Sequence, residues 1–108
     1  MKIIVAAHKE YWMPEDPVYM PMHVGRAISA PLPYCGDDNG DHISGKNRTF
    51  CELTAIYWAW KNLDDDFIGL CHYRRYFAGK IAWRKRRRIA GSGDYRKLLE
   101  HVPCILPP

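Results

Sequence analysis

Two short apolar runs constrain this chain more than any other feature. KIIVAA (residues 2–7) and FIGLC (residues 67–71) are β-compatible, and past Lys2 they hold no charge. Each then meets polar side chains abruptly: His8 and Lys9 after the first, His72, Tyr73, Arg74 and Arg75 after the second. Strands that are apolar without alternation are buried on both faces, which is the habit of parallel sheets in α/β proteins. Between them, Thr49 and Glu52 have capping-box spacing, and Phe50, Leu53, Ile56/Tyr57 and Trp60 recur at helical spacing. This predicts a helix over residues 50–62 with that apolar face turned inward. A helical crossover between two buried strands implies a parallel, right-handed unit.

The rest of the chain is less regular. Pro14, Pro17, Pro21, Pro31 and Pro33 exclude a long helix and leave room for a short strand around residues 23–26. Residues 36–47, GDDNGDHISGKN, are polar and Gly-rich and read as a loop. DYRKLLEHV (94–102) predicts an amphipathic helix capped by Asp94, and PCILPP a further strand. The 108 residues suffice for one small domain, and a helix followed by a fresh strand suggests an α/β domain that is truncated.

Charge is distributed unevenly. Residues 1–63 carry six Lys/Arg against seven Asp/Glu, whereas residues 64–108 carry ten against five. The basic excess points to an anionic partner for the second half. Six of its cations fall within residues 80–88, so 78–93 reads as an exposed basic insertion. One Trp among these cations, without a recognised base-reading fold, is weak support for nucleic acid. Polybasic segments also attract anionic membrane surfaces. Cys35, Cys51, Cys71 and Cys104 show no metal-ligand spacing and read as reduced and buried. An apolar run of only five residues precedes His8, and no stretch approaches a membrane span. A soluble, cytoplasmic protein is expected, with peripheral membrane contact left open.

Adjacent guanidinium groups repel one another, so Arg74 and Arg75 make most sense beside an anion. Otherwise one Arg pairs with Glu52 or Asp64–Asp66 while Tyr73 and Tyr76 pack in the core. Asp64, Asp65 and Asp66 follow a helix and precede a strand, which reads as a solvated turn. Asp41, Ser44, Lys46 and Asn47 offer polar groups ahead of a helix N-terminus, where the dipole favours anions; an ordinary polar loop explains them equally well.

AAHKEYWMP, HISGKN, FCELTAIYWAWKN and FIGLCHYRRYF together closely resemble the DUF4422 family, which is associated with bacterial capsular and exopolysaccharide biosynthesis. The resemblance runs through most of residues 1–77 and returns at LLEHVPCILP. It implies a nucleotide-sugar-dependent glycosyltransferase with a GT-A-like, Rossmann-like parallel sheet, of which this chain is the N-terminal, donor-binding part. The partners implied are a nucleotide-sugar donor and a lipid-linked saccharide acceptor; the alternative is a basic binding module without turnover. Under the resemblance, Arg74, Arg75 and His72 hold the donor diphosphate. His8, Lys9, Asp41, Ser44, Lys46 and Asn47 then contact the nucleotide, and Glu52 is the catalytic carboxylate. HYRR stands where such enzymes carry the DxD that holds Mn²⁺ or Mg²⁺, so metal-free and metal-assisted donor sites both stay open.

Overall fold

A computed structural model describes residues 1–79 and 89–107. Strand β1 (Lys2–Ala7) pairs in parallel with β2 (Tyr19–His23) on one side and with β4 (Ile68–His72) on the other. A two-residue strand β3 (Cys35–Gly36) extends the sheet beyond β2, also in parallel. The order is therefore β3-β2-β1-β4, the order of the first four strands of a Rossmann-type sheet. The parallel α/β fold expected from the two apolar runs is the fold observed, but only the first run is buried on both faces: β4 lies at the edge of the sheet, with Phe67 and Ile68 exposed.

Strand β1 is central and buried on both faces, so its alternate residues feed two separate cores. Ile3, Val5 and Ala7 pack with Tyr19, Cys71, Tyr73 and Tyr95 of helix α3 (Ser92–Leu99). Ile4 and Ala6 pack on the opposite face with Met22, Ala55, Trp58 and Ala59 of helix α2 (Leu53–Asn62). Helices thus cover both faces of the sheet, as continuous apolar strands require. On the α3 side, the Tyr19 hydroxyl donates to the Ala90 carbonyl (2.6 Å) and meets the Tyr95 hydroxyl at 2.9 Å.

The helix expected over residues 50–62 is broken in two. A one-turn helix α1 (Asn47–Phe50) stops at Cys51, whose φ of 49° and ψ of −131° are non-helical, and α2 starts at Leu53. The capping box does not form: neither helix has a side-chain cap bond, and Glu52 is released from that role. The buried face is also different from the one expected. Thr54, Ala55, Trp58 and Ala59 face the sheet, while Phe50, Leu53 and Trp60 are exposed, Trp60 by 67%. Small side chains at 55 and 59 let the backbone approach the strands closely, and Trp58 fills the remaining depth. Its indole donates to the Asn39 carbonyl (3.0 Å), satisfying the one polar atom it buries.

Other boundaries also move. The short strand placed around residues 23–26 is β2, four residues earlier. Helix α3 ends at Leu99 rather than 102, and Asp94 lies inside its first turn, accepting from the Gly91 N–H (3.0 Å). Residues 103–107 form no strand, as two prolines and exposed side chains deny PCILPP a pairing edge. Among the cysteines only Cys71 is buried, and burial pushes its thiol up to about 12; Cys35, Cys51 and Cys104 are exposed. The basic run 80–88 lies outside the described residues. Of the flanks of the expected 78–93 insertion, Ala78 pairs with Ile89 in an antiparallel bridge and Ser92 opens α3. Among the described residues no helix is long and apolar enough to cross a membrane.

Candidate functional site

In a sheet of order β3-β2-β1-β4 the direction of strand addition reverses between β1 and β4. Loops leaving these two strands diverge, and open α/β sheets bind ligands in the crevice so formed, at the carboxyl ends. His8 and Lys9 leave β1 there, and His72 to Arg75 leave β4. The parallel register sets Ala6 beside His72, which brings the two polar clusters together.

Tyr73 is the hub of this cluster. Only 1% exposed, its ring meets His8 and Tyr11 at 5.2 Å and His72 at 4.3 Å between centroids. Lys9 Nζ lies 5.9 Å from the same ring and the Arg74 guanidinium carbon 5.3 Å, within cation–π range. A buried phenol ring therefore anchors two cations whose charged ends stay in solvent. The strand does not continue past His72: Arg75 N–H donates to the His72 carbonyl (2.8 Å), closing a tight turn. Arg74 and Arg75 are both exposed on this turn.

Glu52, His72, Arg74 and Arg75 line an open cleft of about 250 Å³. The Arg74 N–H donates to His72 Nδ1 (3.3 Å), so the neutral imidazole carries its proton on Nε2, facing Glu52 Oε1 at 3.9 Å. That separation exceeds a hydrogen bond. Desolvation, together with His8, Arg74 and Arg75, lowers the His72 pKa from 6.5 despite the opposing pull of Glu52. The imidazole is thus neutral at pH 7 and its contact with Glu52 is not an ion pair there. Among the described residues neither Arg74 nor Arg75 is ion-paired, although Glu52 is close at hand. The aspartates of residues 64–66 lie at the opposite end of β4, where Asp65 pairs with the Met1 amino group (2.8 Å).

The loop candidates are placed differently. Ser44 is fully buried; its hydroxyl donates to Asp37 Oδ1 (2.5 Å) and accepts the Ala27 N–H (3.1 Å). Asn47 Nδ2 donates to the Cys51 carbonyl (2.8 Å) and Thr54 Oγ1 (3.0 Å). Asp41 accepts from the Tyr57 hydroxyl (2.8 Å), alongside α2. Lys46 is exposed on the 3-10 turn Ser44–Lys46. The structure thus gathers His8, Lys9, Glu52, His72, Arg74 and Arg75, while Ser44 and Asn47 spend their polar groups internally.

Asp37 is the residue that sequence reasoning missed. Completely buried, it accepts from Gly25 N–H (2.9 Å), Arg26 N–H (3.2 Å), Ser44 and the Thr54 hydroxyl (2.6 Å). Burial pushes its carboxyl up, but these four donors outweigh burial and hold it below the usual range. It binds the carboxyl end of β3 to the 3-10 turn Arg26–Ile28 and to the first turn of α2. Gly25, with φ of 70°, packs so closely on Asn47 that a Cβ would lie 2.6 Å from the amide carbon. One of three Asp in a run of polar residues, Asp37 gives no signal of this. Beside it, His23 is buried at the end of β2 and bonds Ser29 Oγ through Nε2 (2.9 Å).

Over residues 2–108 the sequence matches the family described as a domain of unknown function, DUF4422. The chain belongs to the DUF4422 family. Among solved structures, it resembles the apo structure of the bifunctional glycosyltransferase WbbM, with a TM-score of 0.68 and 44% identity. The alignment covers 77% of this DUF4422 chain and 15% of that one, so the present chain corresponds to a small part of WbbM. None of the curated proteins matches it. Among the described residues no three His, Cys, Asp or Glu side chains gather as a metal-binding group.

Proposed function

We propose that this DUF4422 chain is the donor-binding part of a GT-A-like glycosyltransferase. The transferase moves a sugar from a nucleotide-sugar to a growing bacterial surface polysaccharide on a lipid carrier, at the cytoplasmic face of the membrane. One observation carries the reading: two exposed guanidinium groups, with no ion-pair partner among the described residues, share a cleft at the point where the strand order reverses. Kinship with a bifunctional glycosyltransferase supplies the chemistry that such a cleft would serve.

In this reading Arg74 and Arg75 bind the donor diphosphate through charge-assisted hydrogen bonds. Those bonds strengthen as negative charge builds on the departing nucleoside diphosphate. His72 lies against the same phosphates, and His8 and Lys9 approach the nucleoside from β1. Lys46 is the member of the polar loop whose charged end is free to reach the nucleotide. Glu52, on the far wall of the cleft, takes the proton from the acceptor hydroxyl as the glycosidic bond forms.

Amide-resolved NMR with UDP tests the placement. Shifts concentrated at His8, Lys9, His72, Tyr73, Arg74 and Arg75 are expected. Saturable shifts confined to other parts of the chain would contradict it.

A further inference from the structure

The peptide just before Glu52 is strained. Cys51 is the one non-glycine described residue with positive φ, and its combination of φ 49° and ψ −131° lies in territory essentially reserved for glycine. Such a conformation costs on the order of 1–3 kcal/mol and persists only where the surroundings over-determine it. One side chain grips the Cys51 carbonyl here and a second aims it: Asn47 Nδ2 donates one N–H to that carbonyl (2.8 Å) and the other to Thr54 Oγ1 (3.0 Å), whose own proton goes to Asp37. Both are themselves held. Thr54 is tied to the buried Asp37 carboxylate, and Asn47 packs against Gly25, whose N–H Asp37 also fixes.

The consequence falls on the next residue. An unbroken helix from 47 to 62 would carry Glu52 in the direction that its helical turn dictates. The kink at Cys51 instead ends α1, starts α2, and leaves the Glu52 carboxylate 3.9 Å from the His72 imidazole in the basic cleft. We propose that Asn47 and Thr54 are positioning residues: Asn47 clamps the strained Cys51 carbonyl, Thr54 orients the Asn47 amide, and together they hold Glu52 in the cleft with His72, Arg74 and Arg75. The proposal rests on the donor-site reading for the importance of Glu52, but its geometry is testable without any nucleotide.

The reporter is the imidazole of His72, whose titration follows the groups facing it: Glu52, His8, Arg74 and Arg75. Glu52 is the one that favours the imidazolium, so withdrawing it lowers the midpoint. NMR titration of the full chain is followed for wild type, Glu52→Gln, Asn47→Ala, and Asn47→Ala combined with Cys51→Gly. Glycine adopts the kinked conformation without strain, so it makes the clamp dispensable. Expected is a downward shift of the His72 midpoint in Asn47→Ala approaching that of Glu52→Gln, with most of it restored by adding Cys51→Gly. A midpoint unchanged by Asn47→Ala while Glu52→Gln moves it would overturn the clamp. So would a folded Asn47→Ala protein whose shift Cys51→Gly fails to reverse. If Glu52→Gln leaves the midpoint in place, Glu52 is not held beside His72 and the proposal fails at its base. UDP binding read on the same samples separates these outcomes from failure of the donor-site reading.

Discussion

His72 Nε2 and Glu52 Oε1 stand 3.9 Å apart across the mouth of the cleft, with the guanidinium groups of Arg74 and Arg75 on the same rim. The imidazole, ordinarily titrating near 6.5, is lowered further by desolvation and by His8, Arg74 and Arg75 against the pull of Glu52, so it stays neutral at pH 7. An anion entering the cleft reverses that balance. A diphosphate should therefore raise the His72 pKa and take up a proton as it binds. Calorimetry between pH 6 and 7 in buffers of different ionisation enthalpy should register the uptake, and His72→Gln should abolish it. Protonation of the nucleotide itself is common to both proteins and cancels in the comparison. Equal proton uptake in the two would remove His72 from the site.

Trp58 and Trp60 make opposite predictions although they are two residues apart. Trp58 is 5% exposed and hydrogen-bonded, so Trp58→Ala should cost about 3–5 kcal/mol. Trp60→Ala, at a largely exposed position, should change stability by no more than about 0.5 kcal/mol. Urea unfolding of both variants measures the difference, and comparable losses would refute the orientation of α2.

This pair also shows what the sequence could and could not convey. The sheet was legible because KIIVAA is apolar on both faces, and a central position in a parallel sheet buries both; FIGLC pairs beside it at the sheet edge, with Phe67 and Ile68 exposed. The ends of those strands located His8, Lys9, His72, Arg74 and Arg75 for the same reason. The orientation of α2 was not legible, because size and apolarity favoured Phe50, Leu53 and Trp60. The sheet instead selects Ala55 and Ala59 for close approach and Thr54 for its hydroxyl. That choice depends on Asp37, whose partners at residues 25, 26, 44 and 54 meet only in the folded chain. The break at Cys51 has the same origin, since nothing local to a cysteine demands a positive φ.

Asp37 itself should be among the least replaceable residues. Asp37→Ala leaves two backbone N–H groups and two hydroxyls buried without their acceptor, at a cost of about 3 kcal/mol or more. Thermal unfolding should show this together with loosening of the α1–α2 junction. A loss below about 1 kcal/mol would mean that water replaces the carboxylate and that the network is not what fixes α2.

His23 should make folding sensitive to mild acid. Its Nδ1 accepts the Leu32 N–H (3.4 Å), so protonation there sets two donors against each other. Desolvation lowers its pKa from 6.5 against the pull of Asp37 and Asp38, with Arg26 and His8 adding to the depression. The native state thus binds fewer protons than the unfolded chain just below pH 6.5, so stability is complete above that pH and falls as pH drops through it. Because the His72 pKa is lowered in the same way, urea midpoints between pH 5 and 7.5 should lose part of this slope in His23→Gln, part in His72→Gln, and most of it in the double variant. A flat profile in wild type would contradict the assignment.

The donor-site reading is tested most directly by calorimetric titration of the chain with UDP, with and without Mn²⁺, beside an Arg74→Ala/Arg75→Ala variant. The account predicts saturable binding by the wild-type chain that the double substitution weakens at least tenfold, or by about 1.4 kcal/mol, while the fold persists. Binding unchanged by loss of both guanidinium groups would contradict it, as would a folded wild-type chain that binds no UDP under either condition.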